Sequence, residues 1–156
     1  MTDTPKQEAM RASAALLKAG GTGSLSVIDV TDGAPFVTLV NIAADTELRP
    51  LLLISNLSHH TKCLNANPRA SVMLHAPIAA EGDPMLTLRV TVSGSFIQIE
   101  DAEAKAAFLA SHPYADFYAG FGDFNIWRMD AEHAHIIAGF GRAYSVRFKD
   151  MAASIE

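Results

Sequence analysis

The sequence predicts a mainly β domain: antiparallel strands closed into a barrel and flanked by a few helices. Short runs rich in β-branched, aromatic and aliphatic residues recur between turn signals. Helical spacing is confined to separate stretches. The resulting order is helix, hairpins, short helix, hairpins, helix, hairpin, which favours a barrel over a βαβ sheet.

The opening helix is capped by Thr4 and has Pro5 at its first position. Ala9, Met10, Ser13, Ala14, Leu16 and Leu17 follow at helical spacing until Gly20-Gly21 stops it. Ser24–Asp29 and Pro35–Ile42 read as strands joined by a turn at Thr31-Asp32-Gly33. A second turn, around Asp45 to Pro50, leads into Leu51–Ser55, an apolar run expected to be buried on both faces. A short helix from Ser58 to about Asn67 is closed by Pro68, and Ala70–His75 is the next strand. After a Pro/Gly-containing loop, Met85–Glu100 reads as the longest strand, with a bulge or bend at Gly94. Asp101 caps a helix to Ser111 whose apolar side is expected to hold Ala106, Phe108 and Leu109. Beyond an aromatic-rich connection, Asn125–Met129 and His133–Phe140 read as two strands, with Tyr144–Phe148 as a third.

At 156 residues, 49% of them apolar, the chain is expected to form one domain over 1–156 with a substantial core. Twelve basic against seventeen acidic side chains, net charge −5, argue against a nucleic-acid partner. No run is long enough to span a membrane, and the charged N-terminus lacks the apolar region of a signal peptide. The single cysteine, Cys63, suits a reducing compartment. A cytoplasmic protein is therefore expected.

Chemistry concentrates in Pro50–Ser71, where a buried strand ends at Ser55 and a helix opens at Ser58 with His59, His60, Thr61 and Lys62 in its first turn. A helix N-terminus with a hydroxyl and basic side chains can cradle a phosphate; it can equally be a capped surface helix. His133 and His135 share a strand face, but no third ligand is suggested, so no metal site is expected. Cys63 reads as a small buried hydrophobe. Nucleophile-elbow, zincin and Walker signatures are absent, which leaves the catalytic residues unknown.

His60-Thr61-Lys62-Cys63-Leu64 followed by Asn67-Pro68-Arg69-Ala70-Ser71 resembles the flavin-phosphate motif of the pyridoxamine-phosphate-oxidase-like superfamily, in the form used by its haem-utilisation branch. Two further stretches agree: Pro35–Asn41, and Phe121–Met129 with Ala138–Ala143. The resemblance runs from about Arg11 to Ala143. It implies an FMN-binding split β-barrel with Greek-key antiparallel strands, working as a homodimer on a small-molecule substrate. It places Val37, Thr38 and Leu39 along the flavin ring and Ile54 and Ser55 at its polar edge. Ser58, His60, Thr61 and Lys62 would hold the phosphate, and Trp127, Arg128 and Arg142 would come from the partner. Read singly, Val37 and Leu39 suit a core, Trp127 a barrel end, and Arg142 a surface turn. His59-His60 stands where pyridoxamine-phosphate oxidases carry Arg-Lys, which argues against that activity. The chain also ends soon after Arg142, where haem-degrading members continue. The leading expectation is an FMN-dependent oxidoreductase. A haem-binding or haem-degrading protein and a non-catalytic flavin carrier are the alternatives, with haem or a deazaflavin behind FMN as cofactor.

Overall fold

Six antiparallel strands close on themselves in the computed structural model, which describes residues 2–155, and a seventh extends the sheet. The strands are β1 (Gly21–Ile28), β2 (Pro35–Ala44), β3 (Pro50–Ser55), β4 (Arg69–His75), β5 (Arg89–Ile99), β6 (Phe124–Ile137) and β7 (Ala143–Arg147). Their order is β3-β2-β1-β4-β5-β6-β7, and pairing of β3 with β6 closes the barrel. β4 returns beside β1 after the β1-β2-β3 run, a Greek key. The helices are α1 (Pro5–Ala19), α2 (His59–Ala66), α3 (Ala102–Ser111), α4 (Asp116–Ala119) and α5 (Phe148–Ala153). None of them is long and apolar enough to cross a membrane.

Local chemistry sets these boundaries. Thr4 and Gln7 form a capping box at the start of α1, and Gly20, with φ +69°, ends it. In the β1–β2 hairpin the Asp29 carboxylate accepts the Thr31 amide at 2.9 Å, and the Gly33 amide donates to Asp29 O at 2.8 Å. The continuous apolar character of β3 has a direct cause. Leu52 and Ile54 face the barrel core, while Leu51 and Leu53 pack with Ala104, Phe108, Ala115, Ala119 and Ile126 in a second cluster outside it.

Several expectations need correction. The long strand starts at Arg89, because Pro84–Leu86 is a 3₁₀ turn capped by Asp83. Asn125–Met129 and His133–Ile137 are one strand, not two. The gap left between them, Asp130-Ala131-Glu132, is a bulge within that strand: Ser93 pairs with His133 and Gly94 with Ala131, which leaves Glu132 unpaired in the register. Gly94 makes this possible, since a Cβ there would sit 2.0 Å from Asp130 O. The last strand ends at Arg147, and Phe148 begins α5 instead. At six residues α5 is too short to show a period, yet Phe148 and Met151 join Leu17 in the main core. On α3 the buried pair is Ala104 and Phe108, one turn apart; Ala106 is exposed.

Candidate functional site

β2 runs with Val40 and Ile42 inward and Val37 and Leu39 outward. Both outward side chains are bare, Val37 63% and Leu39 74% exposed. Thr38 lies half-buried between them. Beside Leu39 a shallow cavity of about 180 Å³ opens between β2, the end of β3 and the start of α2. Ile54, Ser55, Ser58 and His60 line it, joined by Asn41, Leu53 and Phe124.

A hydrogen-bonded corner holds this wall. Ser55 Oγ donates to Asp123 Oδ2 at 2.5 Å and accepts the Leu57 amide at 3.1 Å. The Asn56 amide donates to Asp123 O at 2.7 Å, so the turn after β3 is tied to the segment entering β6. Ser58 caps α2 by position, but its hydroxyl makes no capping bond. His60 is half-buried, and its Nε2 is enclosed with no hydrogen-bond partner among the described residues. Burial, and then the neighbouring His59, holds the His60 imidazole below its ordinary pKa.

The side chains of the first turn of α2 point in different directions. Each helical residue advances by about 100°, so four successive side chains point in four directions. His59 bonds Asp29 Oδ1 at 3.1 Å, and its ring meets Phe36 edge-on at 5.0 Å. His60 lines the cavity, Thr61 is fully buried with its hydroxyl unpartnered among the described residues, and Lys62 is exposed. The remaining expected site residues lie elsewhere in the protomer. Trp127 is 3% exposed within the barrel core, across from Leu52. Arg128 bonds Asp101 at 3.2 Å and approaches Asp45 at 3.9 Å. Arg142, beyond a turn with Gly139 and Gly141 at positive φ, sits 3.9 Å from Glu8.

Two carboxylates are held in the charged form. Hydrogen bonds from the Thr31 hydroxyl and amide, then His59, lower Asp29 to about 2. Asp101 is lowered chiefly by the Ala104 amide it caps, assisted by Arg128 and the Glu103 amide. Sequence reasoning did not find the cluster of Asp29, His59 and Cys63, whose ligand atoms all lie within 4.8 Å of one another. The His59–Cys63 spacing on a helix was a usable signal; Asp29, thirty residues upstream of His59, carried none. A larger cavity, about 570 Å³, lies away from all the expected residues, between Lys18, Leu48, Arg49, Phe148, Lys149 and Ile155. His133 and His135 are exposed on one strand face, with His135 Nδ1 2.9 Å from Ser145 Oγ.

The family described as CREG, beta-barrel, matches residues 4–152. The chain belongs to this CREG β-barrel family. It thereby falls within the split barrels of the pyridoxamine-phosphate-oxidase-like superfamily. Among curated proteins, the chain is 33% identical over 116 residues to the non-canonical heme oxygenase HOZ, chloroplastic, of Arabidopsis thaliana. That alignment covers 72% of this chain and 35% of the plant protein, so the chain spans about a third of its relative. Among solved structures, a heme binding protein from Mycobacterium smegmatis superposes with TM-score 0.84 at 28% identity, over 98% of this chain and 62% of that one. HutZ, the heme storage protein of Vibrio cholerae, shares the fold with TM-score 0.60 at 22% identity, over 85% and 92% of the two chains.

Proposed function

We propose that this CREG-family barrel binds haem at the β2–α2 face as a homodimer, and that haem degradation is the activity it supports. Two relatives carry the reading: the mycobacterial heme binding protein matches nearly the whole chain at TM-score 0.84, and the plant relative at 33% identity is a heme oxygenase. The sequence ranked FMN above haem; these relatives reverse that order.

The residues at the face fit a porphyrin. Val37 and Leu39, both on the outward side of β2, are 63% and 74% exposed, an apolar surface that a flat macrocycle can cover. His60, with an unpartnered ring nitrogen, is the one imidazole lining the adjoining cavity and is the proposed iron ligand. The bound group would supply iron and oxygen chemistry, while the barrel orients it and shields one face from water. A cavity of about 180 Å³ is smaller than the roughly 300–1,000 Å³ of enclosed ligand sites. A second protomer packing over β2 would provide the opposite wall, and Arg128 and Arg142 are its candidate contributions. The proposed location is the cytoplasm, where the buried Cys63 stays reduced.

An FMN reading keeps one supporting observation, since Leu39, Ile54, Ser55, Ser58 and His60 do share a cavity. Against it, the buried Thr61 and the exposed Lys62 do not join them. Parallel titrations of the purified chain with hemin and with FMN separate the two. A saturable shift of the haem absorption band, weakened in His60→Ala, supports haem. Tight FMN binding with no haem complex overturns the proposal.

A further inference from the structure

His59 and Cys63 stand one turn apart on α2, the i, i+4 spacing that places two metal ligands on one helical face. The β1–β2 hairpin carries Asp29 to that face, with Oδ1 3.1 Å from His59 Nε2. The Cys63 sulfur is buried and accepts the Val30 amide at 3.4 Å. We propose that Asp29, His59 and Cys63 form a binding site for a divalent transition-metal ion of the zinc class.

The donor set decides the class. Thiolate and imidazole together favour zinc-like ions over magnesium or calcium, which prefer all-oxygen sites. Bonds of about 2.0–2.3 Å set tetrahedral ligand atoms roughly 3.3–3.6 Å apart. The Asp29–His59 pair is already near that spacing. With all three atoms within 4.8 Å, the sulfur has about 1 Å to close. Closing that gap would exchange the long Val30 contact for a metal bond. Thr31 orients the carboxylate from the hairpin side through its amide and hydroxyl, which both donate to Oδ1 and would share that oxygen with the ion. The His59 side chain, 42% exposed, gives the ion its way in. Three protein ligands leave one position for water.

Binding balances simply. The Cys63 S–H bond breaks and its proton passes to the buffer as the sulfur–metal bond forms. The His59–Asp29 hydrogen bond gives way to two metal bonds, with His59 neutral and its N–H on the other ring nitrogen. The ion would pin the hairpin tip to the start of α2, one residue from the cavity-lining His60.

The test uses the full chain, stripped with chelator, reduced and free of haem. Titrated with Co²⁺, the wild type should bind one ion per chain, with an intense thiolate-to-cobalt absorption that Zn²⁺ abolishes by displacement. Calorimetry in two buffers of different ionisation enthalpy should show proton release. Cys63→Ser should lose the thiolate band. Because Cys63 is buried and that variant can misfold, His59→Asn, at an accessible side chain, is the second arm. It should lower Co²⁺ affinity by more than the roughly 10–100-fold that outer-sphere changes cost. A wild type without the thiolate band, or a His59→Asn protein with undiminished affinity, overturns the site.

Discussion

Replacing Leu39 with Ala should leave the fold nearly untouched and weaken haem binding by about an order of magnitude. The side chain loses three carbon groups, each contributing about 0.8 kcal/mol when fully buried. Leu39 is 74% exposed, so the barrel uses about a quarter of that contribution, ~0.6 kcal/mol, close to the range for surface substitutions. The remaining ~1.8 kcal/mol becomes available only when a ligand or a second protomer covers β2. Partial coverage gives about 1–1.8 kcal/mol, or roughly a 5–20-fold change in affinity. The assay pairs a thermal melt with a hemin titration followed by absorbance, and sedimentation at several concentrations reports the dimer. A variant that melts like the wild type but binds haem and self-associates equally well would show that β2 is ordinary exposed surface. A large fall in melting temperature would refute the burial argument itself.

Other predictions follow from the scaffold. Gly94→Ala brings a Cβ to within 2.0 Å of Asp130 O, so β5 and β6 must part at the bulge; chemical denaturation should show a loss of at least ~1–3 kcal/mol. His112 Nε2 donates to the Ile42 carbonyl at 2.8 Å, and its Nδ1 lies 2.8 Å from the Tyr114 hydroxyl, locking α3 to β2. His112→Ala removes that buried hydrogen bond and should cost about 0.5–1.5 kcal/mol before any cavity cost is added. Asp101→Ala removes the cap of α3 and should lower the melting temperature at neutral pH. The folded-state pKa of Asp101 is depressed, so its stabilisation is present above the ordinary carboxylate range and disappears as pH falls through the lowered value. The melting-temperature gap between Asp101→Ala and wild type should therefore narrow in acid.

Strand and helix existence was legible because each element carries its own period or cap. Leu51–Ser55 reads as buried on both faces for the reason the structure gives, two clusters meeting at one strand. Irregularity was harder to place. Gly94 marked the bulge, but its counterpart, Asp130–Glu132, reads as a gap between two strands until the backbone of β5 is seen to make room for it. The short α5 has too few residues to announce itself. At the candidate site, Leu39, Ile54, Ser55, Ser58 and His60 could be chosen because they lie at strand ends and a helix start, which the topology brings together. Thr61 and Lys62 looked equivalent to them in sequence, yet helical rotation sends one inward and the other to solvent. The Asp29–His59–Cys63 cluster depends on a hairpin docking against α2, a contact that no local pattern encodes.

Native mass spectrometry of the purified full chain, mixed with equimolar hemin and FMN, measures mass and occupancy together. If the exposed β2–α2 face belongs to haem, the spectrum shows a dimer carrying haem and no flavin, with haem occupancy falling in His60→Ala. A species carrying FMN without haem would contradict it.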